Sequence, residues 1–252
     1  MRFTRQLRNL DWLVARPIAH RGLHDKTKGI IENTSTAFAR AIKGNYAIEC
    51  DLQLTADSEA MVFHDETLDR LAESTGLIKY HKTKQLQLIA LRNSTDHIQT
   101  LGEMLDQVGG KVPLIIELKS HWDGDNALAL RALRVLENYA GPYALMSFDP
   151  DLITTVAEAS PSTVRGITAD RTVDPYYNAL PLQRRLAMRN LSHMAHTQPH
   201  FISYYFRDLP FPIVQQIRGR GFPVISWTIR DKAQEALARR WSDQITFEGY
   251  AA

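Results

Sequence analysis

Glu49 and Asp51 stand two residues apart in Tyr46-Ala47-Ile48-Glu49-Cys50-Asp51-Leu52, and Glu117 and Lys119 repeat the spacing in Leu114-Ile115-Ile116-Glu117-Leu118-Lys119. Residues two apart on a strand share a face. Each segment therefore carries a polar pair on one side and Ile, Cys or Leu on the other. Carboxylates among apolar neighbours need a partner, because an unpaired buried charge is costly. Hard oxygen donors with no matching Cys/His set favour one divalent cation, Mg²⁺ or Ca²⁺, over zinc. Glu49 and Asp51 are its expected ligands, Glu117 a third, and Lys119 a contact for an anionic substrate.

Two histidines accompany these acids. His20-Arg21-Gly22 ends an apolar run, and His64-Asp65 follows Ala60-Met61-Val62-Phe63. Histidine titrates near neutral pH, so His20 and His64 suffice for an acid/base pair. Arg21 offers the planar fork that suits phosphate. A cation, an acid/base pair and two positive side chains together suit phosphodiester cleavage, where negative charge develops on phosphoryl oxygens. Trp227, at the end of a later strand, is a candidate to stack on the substrate, although a barrel-core aromatic explains it equally well.

The elements that must position these groups alternate along the chain. Strands are expected over Pro17–His20, Tyr46–Leu54, Ala60–His64, Leu114–Leu118, Tyr143–Phe148, Thr163–Thr168, Phe201–Tyr205, Pro223–Thr228 and Gln244–Phe247. Helical patterns separate most of them, as in Thr34–Lys43, Leu101–Val108, Pro150–Ala159 and Lys232–Trp241. Strand–helix alternation argues for a parallel sheet, and 252 residues match a (β/α)₈ TIM barrel, an α/β fold. No glycine-rich dinucleotide fingerprint or phosphate loop supports an open sheet. Ala60–His64 is one strand too many for the barrel. A hairpin centred between Asp57 and Ser58 would pair Asp51 with His64 and Gln53 with Val62. The polar stretch 65–99 breaks the alternation and is expected to be an insertion capping the barrel mouth. The chain is read as one domain over 1–252.

The charge balance is +2, with both signs mixed along the chain, which gives no basic face for nucleic acid. Cys50 is the one cysteine, so no internal disulfide is possible; between two acids on the strand it points away from them as a small hydrophobe. No apolar run approaches the ~20 residues of a membrane span, and the N-terminus lacks the apolar core of a signal peptide. A cytoplasmic protein is the default. Thr4–Val14 is expected to be a helix, either plugging the bottom of the fold or touching a membrane weakly.

Taken together, the motifs resemble the glycerophosphodiester phosphodiesterases, a family of (β/α)₈ barrels. The resemblance rests on Ala19-His20-Arg21-Gly22, Glu32-Asn33-Thr34 with Ala37-Phe38, Glu49-Cys50-Asp51-Leu52-Gln53-Leu54-Thr55, Val62-Phe63-His64-Asp65 with Thr67-Leu68-Asp69-Arg70, and Glu117-Leu118-Lys119. Weaker echoes are Ser147-Phe148-Asp149-Pro150 and Trp227-Thr228. It implies that His20 and His64 are general acid and base, that Glu49, Asp51 and Glu117 hold the cation, that Arg21 and Lys119 contact phosphate, and that Glu32 lies near the metal. It further implies hydrolysis of substrates such as glycerophosphocholine or glycerophosphoethanolamine to glycerol 3-phosphate and an alcohol, through attack by a glycerol hydroxyl and a cyclic phosphate that water opens.

The chain departs from the pattern at Ile31, where the family carries proline, at Ala72-Glu73-Ser74-Thr75-Gly76, and at Thr246-Phe247-Glu248-Gly249, where it carries Thr-Asp. None of these departures is expected to touch the catalytic set. Two other readings stay open: a lysophospholipase D or phospholipase-type enzyme, which would need an apolar channel in the cap, and a barrel that binds phosphodiesters without turnover.

Overall fold

The computed structural model describes residues 9–252. Eight parallel strands close into a barrel: β1 (Ile18–Ala19), β2 (Ala47–Leu54), β4 (Leu114–Leu118), β5 (Tyr143–Ser147), β6 (Arg165–Ala169), β7 (Phe201–Tyr205), β8 (Val224–Ile229) and β9 (Gln244–Phe247). The two-residue β1 closes the ring, pairing with β9 on one side and β2 on the other. The remaining strand, β3 (Ala60–Val62), pairs antiparallel with the outer end of β2. Helices such as Ser35–Lys43, Leu101–Val108, Ala127–Leu136 and Pro150–Ala159 wrap the outside. Several start on capping residues whose side chains accept a backbone N–H: Thr34, Thr100, Asp149 and Asp231.

Strand alternation divides the core into two layers. Ile48, Cys50, Leu52, Leu114, Ile116 and Leu118 point outward into the buried layer under the helices. Ala47, Ile115, Ala144 and Ile225 point inward and fill the lower barrel with Leu13, from the short helix Asp11–Val14, while Met146, level with Glu117, forms the floor of the cavity above. That helix plugs the bottom of the barrel; of the expected Thr4–Val14 helix, Asn9 and Leu10 are not helical, and Thr4–Arg8 lies outside the described residues. Glu49, Asp51 and Glu117 continue the inward face toward the C-terminal ends of the strands, Glu49 level with Ile115 and the other two above it. Asp51 is directly beside Glu117 across the β2–β4 register, which explains why two distant acids meet.

The β2–β3 hairpin differs from the expected pairing by one residue. Leu52 pairs with Val62 and Gln53 with Met61. The turn is centred on Asp57 rather than between Asp57 and Ser58: Thr55 N–H donates to Glu59 O at 3.0 Å and Ser58 N–H to Thr55 O at 3.0 Å, with Ser58 left-handed at φ 60°. A one-residue slip moves every side chain to the other face. His64 therefore does not reach the acids by strand pairing. The strand ends at Val62, Phe63 N–H donates to Asp51 O at 3.0 Å, and the chain bends inward at His64.

Between β3 and the helix Leu101–Val108 the chain builds a small unit of its own. It contains the helix Thr83–Leu88 and a cluster of Phe63, Leu68, Leu71, Ile78, Leu86 and Leu91 packed with Met61. Its sequence is polar on average, yet it has a small apolar core. Among the described residues no helix is long and apolar enough to cross a membrane.

Candidate active site

The turn after β1 is shaped to hold an acid. Gly22 has φ 78°, and a Cβ there would meet Ala37 Cβ and Phe38 Cδ1 at 2.9 Å, so no other residue fits. Arg21 is also left-handed, at φ 55°, a conformation that costs an L-residue about 1–2 kcal/mol. In that conformation its N–H donates to Glu49 Oε2 at 3.0 Å, and its carbonyl accepts from Asn33 N–H at 2.9 Å. Asn33 in turn donates from Nδ2 to Asp51 Oδ2 at 2.9 Å.

Glu49, Asp51 and Glu117 are buried, and each presents an oxygen within 4.8 Å of the others. Lys119 Nζ lies between two of them, 2.6 Å from Glu117 Oε1 and 2.8 Å from Asp51 Oδ1. Burial, then repulsion from Asp51 and Glu117, pushes the Glu49 carboxyl well above its ordinary range. Asp51 is also buried, but Lys119, His64 and Arg21 outweigh that and hold it well below its ordinary value. Burial acts against the Lys119 ammonium, and the Asp51 and Glu117 charges more than restore it. The cluster is therefore short of positive charge at Glu49. Three hard oxygen donors at this spacing fit a divalent cation.

Both histidines share one geometry. His20 Nδ1 is 2.5 Å from Glu248 Oε2, and His64 Nδ1 is 2.7 Å from Asp65 Oδ1. A carboxylate only accepts, so each Nδ1 carries the proton and each Nε2 is left to exchange protons. His20 Nε2 is 3.9 Å from Glu49 Oε2. Burial lowers the His20 pKa to about 4, although the Glu248 bond works in the other direction.

Glu32 is not one of the clustered carboxylates. It accepts from Arg21 Nη1 at 2.5 Å and from Arg70 Nη2 at 2.7 Å. Arg70 also grips Asp65, at 2.6 Å from Nε. A continuous chain of charges thus runs from His64 through Asp65, Arg70, Glu32 and Arg21 to Asp51, at 3.3 Å from Arg21 Nε. Burial would raise the Glu32 pKa, but the Arg70 and Arg21 bonds hold it at about 2.

The expected residues His20, Arg21, Glu49, Asp51, His64, Glu117, Lys119 and Trp227 all line one cavity of about 280 Å³. Trp227 meets Phe148 edge-to-face at 5.4 Å on the apolar wall. Sequence reading missed Glu248, whose contact with His20 corrects the expectation that the departure after the last strand touches nothing catalytic. It also gave no role to Asp65, Arg70 or Asn33. An acid at the C-terminal end of a strand was the available signal for Glu248, since all such ends gather at one face of a barrel.

Two histidine–carboxylate pairs, a carboxylate cluster and fixed cations thus gather at the strand ends of a barrel, an arrangement that can cleave a phosphodiester. The model of the glycerophosphoryl diester phosphodiesterase family matches residues 20–244. A glycerophosphodiester phosphodiesterase from Caldanaerobacter subterraneus subsp. tengcongensis is 27% identical over 241 residues, covering 90% of this chain and 91% of the relative. Among solved structures, a phosphodiesterase from Oleispira antarctica in complex with sn-glycerol-3-phosphate superposes with a TM-score of 0.77 at 20% identity, covering 94% of each chain. The glycerophosphodiester phosphodiesterase of Thermotoga maritima gives 0.70 at 22% identity, covering 91% of this chain and 92% of that one. The chain belongs to the glycerophosphoryl diester phosphodiesterase family and is a phosphoric diester hydrolase.

Proposed function

We propose that this enzyme hydrolyses glycerophosphodiesters such as glycerophosphocholine and glycerophosphoethanolamine to glycerol 3-phosphate and the free alcohol. The observation that carries this reading is the pair of histidine–carboxylate units facing one buried carboxylate cluster. Glu49, Asp51 and Glu117 would hold one Mg²⁺ or Ca²⁺. When bound, such an ion offsets negative charge developing on the phosphoryl oxygens. Arg21 and Lys119 add fixed positive charge to the same wall. One histidine Nε2 takes the proton of the attacking glycerol hydroxyl, and the other gives a proton to the departing alcohol oxygen. In the second step the two exchange roles, and water opens the cyclic phosphate. Trp227 and Phe148 cover the apolar side of the glycerol.

The cavity of about 280 Å³ suits a three-carbon phosphate ester, and the space beside it is lined mostly by charged and polar side chains such as His24, Asp25, Lys26 and Arg40 rather than by the apolar walls an acyl chain needs. This speaks against a lysophospholipase D. The reading takes residues 1–252 as one barrel domain with 65–99 as its cap, and a lone buried cysteine supports a reducing, cytoplasmic compartment. The test is glycerol 3-phosphate release from glycerophosphocholine with Mg²⁺, Ca²⁺ or EDTA. Metal-dependent release that Glu49→Gln abolishes is expected. Release that persists in EDTA, or cleavage of lysophospholipids alone, would overturn the reading.

A further inference from the structure

A second, larger cavity of about 740 Å³ adjoins the catalytic one, and His20, Arg21 and Arg230 line both. Its wall is rich in positive charge: Arg21, Lys26, Arg40, Arg70 and Arg230 stand against Asp25, Glu32 and Glu248. Each of those acids already has a partner. Asp25 pairs with Lys28 at 3.1 Å, Glu32 with Arg21 and Arg70, and Glu248 with His20 and, at 2.8 Å, with Arg230.

Two cations of this wall make no ion pair among the described residues: Lys26, which is exposed, and Arg40, which is half-buried. Arg40 projects from the helix Ser35–Lys43, and its Nη1 is buried with no hydrogen-bond partner. A buried guanidinium donor without an acceptor is costly. The rest of the half-buried guanidinium lines the cavity, so an anion there would offset its unpaired charge, and the planar fork suits the oxygens of a phosphate. The net positive wall would concentrate such an anion there.

We propose, resting on the glycerophosphodiester reading above, that this cavity is a second anion subsite built on Arg40, which takes a further phosphate of the same substrate molecule. The preferred substrate class is then a glycerophosphodiester with two phosphates joined through a glycerol. One phosphate lies at the carboxylate cluster while the other crosses the shared wall of His20, Arg21 and Arg230. Free phosphate has the same chemistry, so the test must separate the two sources.

The full-length enzyme with its divalent cation is assayed on three substrates: 1,3-bis(sn-glycero-3-phospho)glycerol, glycerophosphoglycerol and glycerophosphocholine. The first keeps a second phosphate one glycerol away whichever bond is cut. In the unaltered enzyme kcat/KM is expected to be about 10-fold higher for it than for the second. Arg40→Gln should remove that preference, mainly through KM, and leave the other two substrates unchanged; Arg40→Lys should restore part of it. Inorganic phosphate is titrated against glycerophosphocholine turnover in parallel. A preference that is absent, or that Arg40→Gln leaves intact, overturns the proposal. So does an equal loss on all three substrates. Phosphate inhibition that depends on Arg40 without any substrate preference assigns the site to a free anion and overturns the substrate assignment. Failure to turn over any of the three refutes the glycerophosphodiester reading itself.

Discussion

Replacing Glu32 by Gln removes one charge and almost no volume. Glu32 is 5% exposed and joins Arg21 of the barrel to Arg70 of the segment between β3 and the helix Leu101–Val108. Its carboxyl is held at about 2 against an ordinary 4.5. At ~1.4 kcal/mol for each tenfold in proton affinity, that difference is worth about 3 kcal/mol to the folded state at pH 7. The sign follows from the depressed folded-state pKa. The stabilisation is complete above about 4.5 and is lost as pH falls toward 2; the same linkage leaves about 1.5 kcal/mol at pH 3. Glu32→Gln should therefore unfold with about 3 kcal/mol less stability at pH 7, a fall of about 6–12 °C in Tm for a chain of this size. Urea unfolding of both proteins at pH 7 and pH 3 measures it. The gap should at least halve at the lower pH. A gap of equal size at both values, or one under ~1 kcal/mol at pH 7, would refute the idea that the Glu32 charge ties the Arg70 segment to the barrel.

Other outcomes follow from the same geometry. Glu248→Gln should lower kcat at least ~10-fold with KM little changed, because an amide can donate as well as accept and no longer fixes the His20 tautomer; steady-state kinetics with an unchanged kcat would count against that pairing. His64→Ala should cost ~10²–10⁴ in kcat, and a loss confined to KM would remove His64 from proton transfer. Leu13→Ala, in the fully buried plug, should cost about 2–5 kcal/mol in urea unfolding while sparing KM, since it lies in the lower barrel far from the strand ends.

Much of this molecule is written in period-two and period-3.6 patterns. Leu114–Leu118, Phe201–Tyr205 and Gln244–Phe247 are found with the expected bounds because apolar runs between helical segments have few other ways to be buried. Glu49, Asp51, Glu117 and Lys119 were legible because two-residue spacing fixes a face. What escaped was set by single turns and by distance along the chain. Ser58 in a left-handed conformation moved the hairpin register by one. The partner of His20 lies 228 residues away, and no local pattern links them. Arg70 is within a quoted motif, but only the folded chain shows that it binds Glu32 and Asp65 at once. The segment after β3 hid its apolar core because Leu68, Leu71, Ile78 and Leu86 follow no strict period.

The join between β1 and β9 has a bearing on how the enzyme is made. A chain leaves the ribosome from its N-terminus, and segments begin to fold as they emerge. His20, Arg21 and the carboxylates of β2 and β4 are synthesised early. The ring cannot close, and Glu248 cannot reach His20, until β9 has been made. Nascent chains thus carry the charged cluster with one of its histidines unsupported until β9 emerges. Activity should accordingly arrive all at once, when β9 docks on β1.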